Sequence, residues 1–243
     1  MKTGTFNTIV IVASLAIGYV IYEYTLPQFI KDGGPLVVSL IALVIMLVAF
    51  VFERVIVLRK AQGKGSISAF LKNVQKSIND GDIDSAIAAC DKQRGSCANI
   101  IRTGLDRYVQ IIDEGEIKGQ REITENIQRS IEEAMMLEVP LLERNLVSMS
   151  TIASIGTMVG LLGTTIGMIR AFHAMSNAGA PDAVQLALGI SEALINTAGG
   201  LVSGIGGIIA YNFFTTKIDN FTYMIDEAGY SIIQTLASRK PGK

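Results

Sequence analysis

Residues 193–216 read ALINTAGGLVSGIGGIIAYNFFTT, and residues 146–169 read LVSMSTIASIGTMVGLLGTTIGMI. Neither stretch holds a charged side chain. A helix needs about 20 mostly apolar residues to cross a hydrocarbon core of about 30 Å, and both runs are long enough. The core offers no water to backbone groups, so a run of this kind spans as a helix. Residues 33–52 form a third uncharged run, and residues 6–22 a fourth, near the minimum length. The expected fold class is therefore an all-α membrane protein. It has three core transmembrane helices and an extra N-terminal one, with long helices extending into a cytoplasmic helical domain.

Composition agrees. The chain of 243 residues is 49% hydrophobic, with a mean hydropathy of +0.41, a mean that soluble domains of this size rarely reach. Net charge is −1, which gives no electrostatic case for nucleic acid. Lysine and arginine crowd into residues 54–144 and the stretch from Lys217 onward, while Lys2, Lys31 and Arg170 stand apart. The positive-inside rule then assigns the order of segments. Spans fall at 6–22, 33–58, 146–172 and 184–216, a cytoplasmic helical domain at 59–145, a periplasmic loop at 173–183 and a cytoplasmic helix at 217–243. Run 6–22 also reads as a cleavable signal, but residues 18–22 (GYVIY) are bulkier than a cleavage site wants, which favours an uncleaved span.

The cytoplasmic block has helical spacing. Ser66 is placed to cap a helix carrying Ile67, Phe70, Leu71, Val74 and Ile78, which Gly81 ends. Asp82 caps the next, through Ile83, Ala86, Ile87 and Cys90, ending at Gly95. Ser96 opens a third, with Ile100, Ile101, Leu105, Tyr108 and Ile112 on one side, before a charged loop at 113–119. From Gln120, Ile123, Ile127, Ile131, Ala134 and Leu137 mark one long helix that runs into the third span, with Pro140 as a candidate kink. Beyond the fourth span, Ile218, Phe221, Ile225, Ala228 and Ile232 continue a helical stripe.

The last two spans differ from plain anchors. Gly156, Gly160, Gly163 and Gly167 share one helix stripe, and Gly200, Gly204 and Gly207 form a second packing seam. Ser150, Thr157 and Thr164 sit a heptad apart. Glu192, Asn196, Gly199 and Ser203 align on the fourth span, with Thr197 turned about 100° from Asn196. Two readings stay open for the hydroxyls. They bond carbonyls one turn back, as hydroxyls in membrane helices often do, or they line an ion path. A carboxylate among apolar residues marks an ion pathway by default, since an ionised acid at the bilayer centre costs at least about 2.5–3.5 kcal/mol.

Other chemistries find little support. Cys90 and Cys97 read as reduced cytoplasmic thiols. With the single His173 they do not complete a zinc site, and no metal or cofactor is expected. Residues 63–66 (GKGS) echo a phosphate-binding loop but lack its upstream glycine, and read instead as a basic, flexible exit from the second span. No Ser/His/Asp arrangement appears, so an enzyme is not expected.

The segment Gly160-Leu-Leu-Gly-Thr-Thr-Ile-Gly167, followed by Met-Ile-Arg-Ala-Phe172, resembles the GLxGTVxG motif of the ExbB/TolQ/MotA family, most closely ExbB. Ser191-Glu-Ala-Leu-Ile-Asn-Thr-Ala198, with Tyr211-Asn-Phe-Phe214, resembles that family's last span. Relatives often carry Pro where Thr157 stands and Trp where Ile166 stands. The resemblance implies a homopentamer in the bacterial inner membrane, in contact with membrane lipid. The ring would enclose an ExbD-like single-span partner whose acid takes and releases protons, and it would energise a TonB-like transducer. Thr164 and Thr197 would be the pore threonines and Glu192 the functional carboxylate. Ser150, Thr157, Asn196 and Ser203 are further candidates for the lining. A TolQ-like motor, a non-conducting scaffold and conduction of Na⁺ instead of H⁺ remain open readings.

Overall fold

The computed structural model describes residues 3–114, 119–177 and 182–238. Among these, the regular elements are helices: α1 (Thr3–Tyr24), α2 (Gln28–Lys31), α3 (Leu36–Gln62), α4 (Ile67–Asp80), α5 (Ile83–Gln93), α6 (Ser96–Asp113), α7 (Gln120–Glu143), α8 (Leu146–Asn177) and α9 (Ala183–Ser238). Four helical stretches, containing α1, α3, α8 and α9, are long and apolar enough to cross a membrane. The chain divides into two compact units, whose described residues are 3–54, 145–177 and 182–214 in one, and 55–114, 119–144 and 215–238 in the other.

In the first unit α9 is the middle helix. Small residues set its distance from both neighbours. A methyl added at Gly199 would lie 3.0 Å from the Leu40 side chain of α3, and one at Gly206 would lie 3.3 Å from Leu47. On its other side α9 meets α8. Helix α1 lies along α3, with Gly18 against Val38 and Ala42, Ser14 buried, and the Phe6 and Phe50 rings in edge contact at 6.5 Å. The Arg54 guanidinium is 1% exposed at the end of this unit's part of α3, held by two 2.7 Å bonds to the Glu53 carboxylate.

The second unit is built as the periodicity predicts, with particular departures. Phe70, Val74 and Ile78 bury one face of α4, and Gly81 ends it at φ +91°, a left-handed cap that glycine adopts without penalty. Ser66 occupies the N-cap position but its side chain makes no capping bond. Asp82 does cap α5, accepting from the Ser85 backbone at 2.9 Å and from its hydroxyl at 2.6 Å. Those bonds, the hydroxyl's first, hold its carboxyl below the usual aspartate range. In the last turn of α6 it is Ile111 that is buried, while Ile112 is 46% exposed. The buried face includes Gly104, which receives the Ile131 and Ile127 side chains of α7, and Ile111 lies a heptad further along that side. The GKGS segment is not a loose exit. Lys64 donates its backbone N–H to the Gln93 carbonyl at 2.7 Å, and Gly63 lies so close to the Arg94 carbonyl that no side chain fits there.

The stripe of α7 is buried through Ile131, but Leu137 is 74% exposed, as are the neighbouring Met136 and Leu141 in large part. The helix continues through Pro140 and stops at Glu143. Asn145 follows at φ +68°, in the left-handed region that asparagine tolerates better than most residues. The expected single helix is thus two, broken five residues past the proline. No such break interrupts α9. Ile218, Phe221, Ile225, Ala228 and Ile232 are all buried along its far half, where Ser231 accepts a 2.8 Å bond from Gln75 of α4. Of the segment expected as loop at 173–183, residues 173–177 are helical, since α8 runs to Asn177. Residues 115–118 of the charged loop, 178–181 and the final stretch from 239 lie outside the described residues.

Candidate functional site

Helices α8 and α9 pack antiparallel along the glycines of both. A methyl at Gly160 would lie 2.8 Å from the Gly200 Cα and 2.9 Å from the Asn196 carbonyl. One at Gly167 would lie 2.7 Å from the backbone of Gly189 and Ala193. Gly163 faces the Asn196 side chain, Gly156 faces Ser203, Gly204 faces the Thr157 hydroxyl and Gly207 faces Ala153. The backbones approach because no Cβ stands between them, which is how small residues join membrane helices.

This close approach brings polar groups of the two helices together. The Thr164 and Thr197 hydroxyls share a hydrogen bond. Each also reaches a carbonyl one turn back, Thr164 to Gly160 at 3.2 Å and Thr197 to Ala193 at 3.1 Å. Thr164 lies 3.4 Å from that Ala193 carbonyl as well. Two hydroxyl protons are therefore shared among the hydroxyls and two carbonyls, so one proton re-orients without any donor losing its partner. Both threonines are half-buried at the edge of the seam. Further along α8, Ser150, Ser154 and Thr157 border a recess of about 280 Å³ with Tyr211 of α9.

Asn196 and Ser203 sit differently. Both are fully enclosed within the chain, behind the seam, and present no surface. Asn196 donates to the Gly33 carbonyl at 2.7 Å and to the Glu192 carbonyl at 2.9 Å, which ties α9 to the turn before α3. Its Oδ1 and the Ser203 hydroxyl are buried with no hydrogen-bond partner.

Glu192 lies five residues before Thr197, about 7.5 Å along the helix axis. Its side chain is 8% exposed, and Arg170 of α8 donates one guanidinium nitrogen to both carboxylate oxygens, at 2.7 and 2.8 Å. Gly34, at φ +74°, comes so near that a methyl there would lie 2.8 Å from Glu192 Oε1. In the sequence Arg170 reads as a positive charge between spans, with no partner indicated. The pair follows from the packing, because the antiparallel register that sets Gly163 on Asn196 also brings residue 170 near residue 192. His173 is exposed on the last turns of α8, and no cluster of three metal-ligating side chains occurs among the described residues.

Four membrane-length helices, two of them joined by a glycine seam with hydroxyls along its edge, are the architecture of a multi-pass membrane protein. The chain belongs to the MotA/TolQ/ExbB proton channel family, whose description it matches over residues 92–227. It is 36% identical to the Tol-Pal system protein TolQ of Haemophilus influenzae over 97 residues, which are 40% of this chain and 42% of that one. It is 24% identical to TolQ of Pseudomonas aeruginosa over 202 residues, 81% of this chain and 86% of that one. With the biopolymer transport protein ExbB of Salmonella typhimurium it shares 31% over 85 residues, 35% of each chain.

Proposed function

We propose that the chain is a subunit of an inner-membrane motor driven by the proton-motive force. Several copies, five by resemblance, surround a single-span ExbD-like partner, and the assembly energises TonB-dependent transport at the outer membrane. The polar edge of the α8–α9 seam faces the ring axis. Thr164 and Thr197 are its centre, Glu192 is the carboxylate toward the periplasmic end, and Ser150 and Thr157 extend the track toward the cytoplasm. The segments 66–144 and 217–238 lie in the cytoplasm, and α1 is an additional span.

The observation that carries this reading is the shared hydrogen bond between Thr164 and Thr197. A threonine does not titrate usefully, so the chain supplies a polar, hydrogen-bonding wall and the partner supplies the acid. Beside that wall a neutralised acid moves at lower cost than an ionised one. One charge crossing the membrane potential releases about 2.3 kcal/mol per 100 mV, a few RT per proton. The test is to purify the complex in lipid, identify the small membrane protein that accompanies it, and measure proton flux in proteoliposomes with and without that partner. Flux that needs both supports the motor. A complex that passes no protons under an imposed potential leaves only a scaffold.

A second reading, a TolQ-like motor of envelope maintenance, is favoured by the length of the Pseudomonas aeruginosa match. Deleting the gene separates the two. Lost uptake of a scarce nutrient supports the first reading, and detergent sensitivity with intact uptake supports the second.

A further inference from the structure

We propose that Arg170 is a positioning residue for this pathway, and that it holds Glu192 as an anchored charge instead of a proton carrier. The proposal rests on the reading that the α8–α9 edge lines an ion path. Three features carry it. One guanidinium nitrogen reaches both carboxylate oxygens, at 2.7 and 2.8 Å, so a proton arriving on either would remove the charge that holds the pair together. The surroundings are close as well, because Gly34 at φ +74° leaves no room for a side chain beside Oε1, and Asn196 holds the Glu192 backbone carbonyl while bonding the Gly33 carbonyl. The two partners differ in exposure, 8% for the Glu192 side chain against 57% for Arg170.

That asymmetry gives the proposal its sign. Removing Glu192 leaves an arginine that this chain does not enclose. Removing Arg170 leaves a carboxylate that is enclosed and unpaired, the costlier defect. The pair bridges α8 to α9, and the Asn196 bond carries the link on to the turn before α3. With Arg170 gone, the separation of the helices at the Thr164–Thr197 level is no longer fixed from this end. If Glu192 carried protons itself, the order would reverse. Its amide would stop flux and loss of Arg170 would be tolerated.

The experiment measures proton flux per assembled complex in proteoliposomes, with co-purification of the partner as the assembly check. Arg170→Ala, Glu192→Gln, the exchange Arg170→Glu with Glu192→Arg, and Thr164→Val with Thr197→Val are compared with wild type. The anchored pair predicts that Arg170→Ala lowers flux roughly tenfold or more and at least as far as Glu192→Gln does. It also predicts that added guanidinium ion recovers part of the Arg170→Ala loss, an effect that general loosening of the fold would not show. The exchange is predicted to exceed the worse single variant. Wild-type flux in Arg170→Ala beside lost flux in Glu192→Gln overturns the proposal, as does an assembled exchange variant no better than either single change. If the exchange does not assemble, the order of the single variants and the guanidinium recovery decide. Undiminished flux in the threonine double variant overturns the pathway reading itself, which separates that failure from failure of the anchor.

Discussion

Gly160 of α8 and Gly200 of α9 pack backbone against backbone, so that a methyl on either would lie less than 3 Å from the other's Cα. The relationship sets the spacing of the two polar helices, and through it the meeting of Thr164 with Thr197. Gly160→Ala or Gly200→Ala is expected to destabilise the helix pair by about 1–3 kcal/mol, as overpacking of a tight contact does. Gly206→Ala is the control, since its methyl would meet only the movable end of Leu47 at 3.3 Å. Thermal unfolding in detergent measures both. Equal stability of all three variants would show that the seam is not close-packed.

The proposed ion path calls for an oligomer. One subunit offers one polar edge, which encloses nothing, so the proposal needs several copies around an axis. Native mass spectrometry with retained lipid is expected to give a pentamer. A monomer or dimer under those conditions contradicts the ring.

Sidedness is tested with single cysteines. A membrane-impermeant maleimide added from the periplasmic side is expected to label Asn177→Cys and not Asn79→Cys. The reverse pattern rejects the charge-based topology.

The native thiols should stay silent in that assay. Burial pushes both Cys90 and Cys97 up from their ordinary 9.0 to about 12, and the thiolate is the reacting form. Folded protein is expected to resist alkylation at pH 8 and to react after denaturation. The linkage has one direction. Below pH 9.0 the thiols are protonated folded or unfolded, and as pH rises toward about 12 only the unfolded chain loses those protons, so stability falls across that window. Rapid labelling of folded protein at pH 8 would contradict the burial.

Much of this architecture was legible in the residues. The stripe from Ile218 to Ile232 is buried as spaced, Gly81 and Asp82 cap as their chemistry requires, and the α8 glycines form a seam. Periodicity failed where a partner decides the buried face. Ile111 is buried in place of Ile112, on the side where Gly104 admits two isoleucines of α7, and Leu137 lies exposed where the stripe counted it inward. The break at Asn145 was hidden because one left-handed residue leaves no mark on hydrophobic spacing, and the proline nearby drew the expectation. At the site, spacing alone ranked Asn196 and Ser203 with the threonines. Only packing separates the enclosed pair from the half-buried one. The Arg170 partner of Glu192 needed the register between α8 and α9, which neither helix specifies by itself.

The shared hydroxyl pair is the centre of the account. Thr164→Val and Thr197→Val keep the branched shape and remove the hydroxyl. Each is expected to lower proton flux while leaving assembly with the partner intact, and the two together to abolish flux. The decisive measurement is partner-dependent proton flux per assembled complex for the double variant, in proteoliposomes under an imposed potential. Assembly at wild-type yield with no flux above empty vesicles is expected. Flux at the wild-type rate from an assembled double variant would mean that these hydroxyls only pack the helices, and would contradict the proposed ion path.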